Sequence, residues 1–346
     1  MTGGASPVVD VHAHVLFPEV MGLCGEAGPE MGERDGVQFF RSGDYVLTAV
    51  RFVGSPFSDI GARLSAMDRL GIDHQLMSPN PLTYFYAQPA ATAAAFCAAQ
   101  NDAMAAAVRA HPDRFSGLAQ LPMQDPARAV DELVRAVRTL GLAGSYVGSD
   151  FAGRPLSAPE LAPVWAAHEA LGVPVVVHPA PPDCERGRGD PRDARQWDLD
   201  LVVGFAADET LAVAHLLFGG VLDRHPRLRV HVPHAGGTAP YLKGRMRTAL
   251  QRRPWARGLL ERPFESLWAQ LSFDCLAGTD AAMRFVIDAE GADRVMLGTN
   301  FAGWDQEDDI VRRVTGLGLD AARCAQVLGG TADAWFGLGL GARTAS

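Results

Sequence analysis

Three observations predict an α/β fold of the (β/α)8 TIM-barrel type. Short apolar runs alternate with helical patterns along the whole 346-residue chain, the runs number eight, and several of them end on histidine or another polar residue. Strands that alternate with helices pair in parallel through crossover connections, and eight such units close into a barrel. The length would also hold two average domains, but one barrel fits it, so a single domain over residues 1–346 is expected.

The first strand, Val8–Val15, opens on Val8-Val9. The expected strands that follow are Gln75–Pro79, Phe115–Leu121, Gly144–Gly148, Pro174–His178, Leu228–His234, Gln270–Cys275 and Arg294–Thr299. Between them the helical segments are Gly61–Leu70, Ala90–Ala110, Pro126–Leu140, Ala158–Leu171, Leu211–Arg224 and Asp280–Glu290. Two connections are long: residues 16–60 after strand one, and residues 179–208 after strand five, which carries Pro181-Pro182 and the charged stretch Asp190–Arg195. Both leave the strand ends where barrel active sites form. They are read as wall and lid, with Trp197 as a lid aromatic or a packing residue.

Composition narrows the function. A net charge of −9 lacks the basic footprint that nucleic acid requires. No stretch approaches 18 uninterrupted apolar residues, and Met1-Thr2-Gly3-Gly4 is not a secretory start. A cytoplasmic protein with no membrane partner is expected. Five scattered cysteines, without a Cys-x-x-Cys pair, suggest buried thiols in a reducing compartment. Lys243 is the sole lysine and lies outside the expected strands, so a carboxylated lysine bridging two metals is disfavoured.

The chemistry concentrates at strand ends. In Asp10-Val11-His12-Ala13-His14 the period of two puts both imidazoles on one face, where they can share a divalent cation. His178 ends Val175-Val176-Val177, and His234 follows Val230-His231-Val232-Pro233 and opens Ala235-Gly236-Gly237. Strand eight ends in Gly298-Thr299-Asn300. In a barrel these ends meet at one mouth. The remaining histidines, at 74, 111, 168, 215, 225 and 231, are read as packing residues or as cations at helix ends.

The motifs Asp10-Val11-His12-Ala13-His14, Val177-His178-Pro179, His234-Ala235-Gly236-Gly237 and Leu297-Gly298-Thr299-Asn300 resemble the amidohydrolase superfamily. Within it the chain is similar to the branch of aminocarboxymuconate semialdehyde decarboxylase, with further likeness in Ala66–Ile72, Leu121–Gln124 and Gly219–Pro226. The resemblance implies one divalent ion per subunit, usually zinc (manganese or another transition metal would also serve), on His12, His14 and His178. It makes His234 the general acid/base. It also implies a homodimer in which Arg51 and a partner-donated Arg245 hold a small carboxylate substrate. Where that branch has an aspartate ligand at the end of strand eight, this sequence has Asn300, whose amide offers a neutral oxygen but no titratable proton. Asp305, in Phe301-Ala302-Gly303-Trp304-Asp305, is the nearby acid that could take its place. The leading expectation is non-oxidative decarboxylation of a small unsaturated or aromatic acid. The alternatives are hydrolysis of a C–N, C–O or C–C bond and a barrel inactivated at Asn300.

Overall fold

The computed structural model describes residues 7–48, 52–180, 196–303 and 305–343. Its centre is a parallel barrel whose strands are His74–Pro79, Val175–His178, Val230–Val232 and their neighbours around the first strand, Val9–Val15. All seven residues of that first strand are buried, as expected where helices cover the outside and side chains fill the inside. The third strand is interrupted. Phe115–Gly117 pairs with the second strand and Ala119–Gln120 with the fourth, Ser145–Gly148. Leu118 bridges the break by donating its N–H to the Met77 carbonyl. The seventh and eighth strands are Leu271–Asp274 and Val295–Met296. The ring closes between the eighth and first strands, through Val11 N–H to Leu297 O at 3.0 Å and His14 N–H to Phe301 O at 2.9 Å.

The helices begin and end where their residues dictate. Asp59 accepts from the Ala62 N–H at the start of Ile60–Leu70, and Asp125 accepts from the Arg128 N–H ahead of Pro126–Arg138. Gly71 ends the first of these in the left-handed region, at φ 69°. Ala90–Ala110 and Asp280–Glu290 run as expected.

Two expectations need correction. The connection over 16–60 is not merely loop. It contains an antiparallel sheet, Glu30–Arg34, Val37–Ser42 and Tyr45–Thr48, that sequence analysis passed over. Its Phe40 packs with Phe52, Phe57 and Phe96 as a second small core beside the main one. The other correction concerns the helix expected to start at Leu211. It starts at Phe205, preceded by a wide turn over Asp200–Gly204, so it takes up the end of the second long connection. It stops at Phe218, because Gly220 turns left-handed before the short helix Val221–Arg224. The run Asp200–Phe218 is long and apolar enough to cross a membrane by length and composition. Here it is the helix after strand five, and it carries the buried acid Glu209.

His168 and His231 are buried away from the barrel mouth, in keeping with a packing role. The His168 ring lies between the Ser145 hydroxyl and the Val164 carbonyl. Burial pulls its pKa down from 6.5 to about 4. The unfolded chain therefore binds this proton below pH 6.5 while the fold does not. Stability should be complete above pH 6.5 and fall towards pH 4, by about 1.4 kcal/mol per unit from this one residue. His168→Gln should flatten that acid limb in thermal melts; an unchanged slope would show that the ring does not matter to it.

Candidate metal centre

His12 and His14 project from the first strand towards His178 at the end of the fifth, and their ligand-capable atoms lie within 4.8 Å of one another. The ring centroids of His12 and His14 are 5.0 Å apart, and those of His14 and His178 are 5.1 Å apart. Burial holds all three imidazoles below their usual pKa, so each is neutral at physiological pH and keeps a lone pair. His12 Nδ1 faces Asp274 Oδ2 at 2.9 Å, and His178 Nδ1 faces the Pro179 carbonyl at 2.9 Å. Each contact places the ring proton on Nδ1 and leaves Nε2 as the ligating atom. His12 Nε2 is buried with no hydrogen-bond partner, an unmet acceptor that a cation would satisfy. The residues fit a single divalent ion.

Asp274 has further duties. Its Oδ1 accepts from the Ala235 N–H at 2.8 Å, so one carboxylate fixes both the His12 ring and the turn that carries His234. A Cβ on Gly298 would sit 2.6 Å from Asp274 Oδ2, which is why the residue there has no side chain. Asp10, buried at the start of the first strand, binds the Thr299 N–H and hydroxyl and the Gln75 amide. It ties the starts of strands one and two to the segment after strand eight. Burial raises the Asp10 carboxyl to about 6.

His234 is partly exposed on the inner wall, its ring 4.7 Å from that of His12. Its Nδ1 meets Glu209 Oε1 at 2.8 Å, and Glu209 is fully buried. Burial lifts the Glu209 carboxyl to about 7. Burial also opposes charge on His234, but the Glu209 carboxylate outweighs it and the imidazole ends above its usual pKa. The pair holds a proton near neutrality and leaves Nε2 of His234 free. Glu209→Gln should move the alkaline limb of the pH–rate profile to lower pH, because the charge that raises His234 is gone. A limb that stayed in place would mean Glu209 does not tune this ring.

Asn300 lies just past the eighth strand with φ 53°, a left-handed conformation that asparagine tolerates. It hydrogen-bonds His14 and packs its amide oxygen over Gly303, where any Cβ would collide with it. The centre opens into a cavity of about 980 Å³, lined at this end by His14, His178, His234, Asn300 and Asp305. Asp305 is exposed on that wall and contributes to raising His234.

The structure therefore gathers His12, His14, His178, His234, Asn300 and Asp305 at one mouth. Trp197 is largely exposed and is not among the residues lining the cavity. Arg245 is exposed on the helix Ala239–Arg252 and does not line it either. Arg51 and Trp304 lie outside the described residues. Sequence reasoning missed Asp274 and Glu209. Asp274 could have been found by the rule that found the others, since it ends a strand. Glu209 carried a weaker signal, an acid inside an apolar helix.

A parallel barrel with imidazoles converging from strands one, five and six defines a metal-dependent enzyme of the amidohydrolase class. The sequence matches the amidohydrolase family over residues 9–338, and the chain belongs to that family. It is 32% identical over 253 residues to 2-amino-3-carboxymuconate-6-semialdehyde decarboxylase of Dictyostelium discoideum, which covers 72% of this chain and 68% of the relative. The branch is therefore that of the decarboxylases. The crystal structure of 5-carboxyvanillate decarboxylase from Sphingomonas paucimobilis superposes with a TM-score of 0.82 at 24% identity, covering 96% of this chain and 99% of that one. Dihydroxybenzoic acid decarboxylase from Polaromonas, solved with manganese and the inhibitor 2-nitroresorcinol, superposes with a TM-score of 0.74 at 23% identity, over 96% and 97% of the two chains.

Proposed function

We propose that this enzyme is a metal-dependent, non-oxidative decarboxylase of an aromatic carboxylic acid. One observation carries the reading: a glutamate-paired imidazole stands beside a cluster of three neutral imidazoles, at the polar end of an otherwise apolar cavity. The names of the relatives support it. His12, His14 and His178 would hold one divalent ion, zinc or manganese, which supplies positive charge for the substrate's carboxylate and neighbouring oxygens. His234, with Nδ1 engaged by Glu209, presents Nε2 to the cavity and delivers a proton to the ring carbon that bears the carboxylate. The C–C bond then breaks, its electron pair stays with the ring, and carbon dioxide leaves. Asn300 cannot carry that proton. Removing water from the apolar cavity strengthens each of these polar contacts.

Arg51 is assigned to the substrate carboxylate, where a guanidinium fork binds two oxygens at once. Arg245 does not line its own cavity, so we assign its role to a second copy of the chain, in a cytoplasmic homodimer. We assign the first long connection as the wall of one barrel domain, and the second, whose residues 181–195 lie outside the described residues, as its lid. The test is to supply aromatic acids to the manganese-loaded protein and follow carbon dioxide together with the decarboxylated arene. Hydrolysis products without carbon dioxide would replace this reading with that of a hydrolase.

Asn300 and Asp305 divide the catalytic possibilities further. If Asp305 supplies the carboxylate that Asn300 lacks, Asp305→Asn should lower turnover and Asn300→Asp should lower it too, by adding a competing anion. A silent Asp305→Asn together with an enhanced Asn300→Asp enzyme would show instead that Asn300 is a plain loss.

A further inference from the structure

The cavity, taken with its polar end, is large for a simple benzoate. At about 980 Å³ it stands at the upper end of the range of about 300–1,000 Å³ that accommodates drug-sized ligands. A single-ring acid anchored at His234 would leave most of that space to water against apolar walls, which is unfavourable.

One wall consists of Leu47, Phe52 and Phe57, with the fully buried Phe40 packed behind them. The three phenylalanines pack on one another, with centroids 5.2–5.8 Å apart, and are at the same time the core of the antiparallel sheet inserted after strand one. Their positions are set by that core, so this wall cannot collapse onto a small ligand without unpacking it. Phe205 and Leu276 face the cavity from the helix after strand five and from the end of strand seven. Among the described lining residues there is no lysine or arginine, whereas Asp305 and Glu307 are both present. Glu307 is matched by Arg313 at 2.7 Å; Asp305 is exposed to the cavity. The described part of the lining therefore offers an acid at Asp305 and apolar surface elsewhere along this wall.

We infer that the substrate is an aromatic carboxylic acid carrying a bulky apolar substituent, an alkyl chain or a second ring, which lies against the wall of Leu47, Phe52 and Phe57. The inference rests on the decarboxylase reading and adds its substrate class. The carboxyl end is common to the site chemistry, and selectivity comes from the inserted sheet.

The test is calorimetric binding to the manganese-loaded protein of 2-hydroxybenzoates bearing 6-methyl, 6-propyl and 6-pentyl groups. Carbon dioxide release is followed in parallel. A methylene transferred to an apolar pocket is worth up to about fourfold in affinity. The pentyl acid should therefore bind at least about tenfold more tightly than the methyl acid, allowing for incomplete burial. Leu47→Glu, a half-buried position on the inserted sheet, should reduce the pentyl-to-methyl ratio towards one; Leu47→Ala serves if the charged variant does not fold. Flat or falling affinity with chain length, with the methyl acid bound and decarboxylated, overturns the substrate class and leaves the decarboxylase reading intact. Failure of every acid to bind or release carbon dioxide overturns both.

Discussion

His234→Ala is expected to retain its metal and to lose turnover by about 100-fold or more, the scale of a positioned acid/base group. The geometry separates this residue from the ligands beside it. Its Nδ1 is committed to Glu209, its pKa is raised, and its ring stands on the cavity wall, whereas those of His12, His14 and His178 are held neutral. Because φ at His234 is 46°, alanine adds backbone strain to the loss of the ring, and His234→Asn, which tolerates that conformation, is the control. Both variants should show unchanged metal content by elemental analysis and the same defect in kcat. Metal lost in proportion to activity would make His234 a ligand.

The second large effect is removal of the metal itself. The wild-type chain should carry about one divalent ion after dialysis, as expected of a site with a single imidazole cluster, while His12→Ala combined with His178→Ala should carry essentially none. Activity should vanish on chelation and return with manganese or zinc. Among the described residues the three histidines form the one metal-capable cluster, so two tightly held ions per chain would contradict this assignment. His12→Ala also strips the imidazole from the buried Asp274, whose pKa burial already raises, so that carboxylate should take up a proton instead.

Much of the fold was legible because parallel strands buried on both faces leave continuous apolar runs. Val175-Val176-Val177 ahead of His178 is such a run, and the structure places its strand as expected. The metal cluster was legible for a related reason. Strand periodicity fixes which side chains share a face, and barrel topology brings strand ends together, so His12, His14 and His178 could be joined without knowing any distance. What the sequence hid depends on contacts across elements. Glu209 looks like a polar interruption in an apolar helix until the fold sets it against His234. The inserted sheet was hidden because its strands are short and mostly half-exposed, with no strong alternation; Glu30–Arg34 contains no buried residue at all. The buried carboxylate beside the cluster was hidden as well. Sequence reasoning looked for it at the end of strand eight and found Asn300, while the buried carboxylate that orients His12 comes from strand seven.

The seam of the barrel has a thermodynamic consequence. The bonds that join the first strand to the segment after the eighth run through the ligand-bearing residues themselves: His14 donates to Phe301, and Phe301 donates to His12. Opening the ring at this seam therefore loosens the strand segment that carries two of the three ligands. An ion that binds only the closed ring acts as a clasp, adding about 2.7 kcal/mol against opening at a free concentration 100-fold above its dissociation constant. Amide exchange at His14 and Phe301 would then slow as the ion fills a site that neither amide touches.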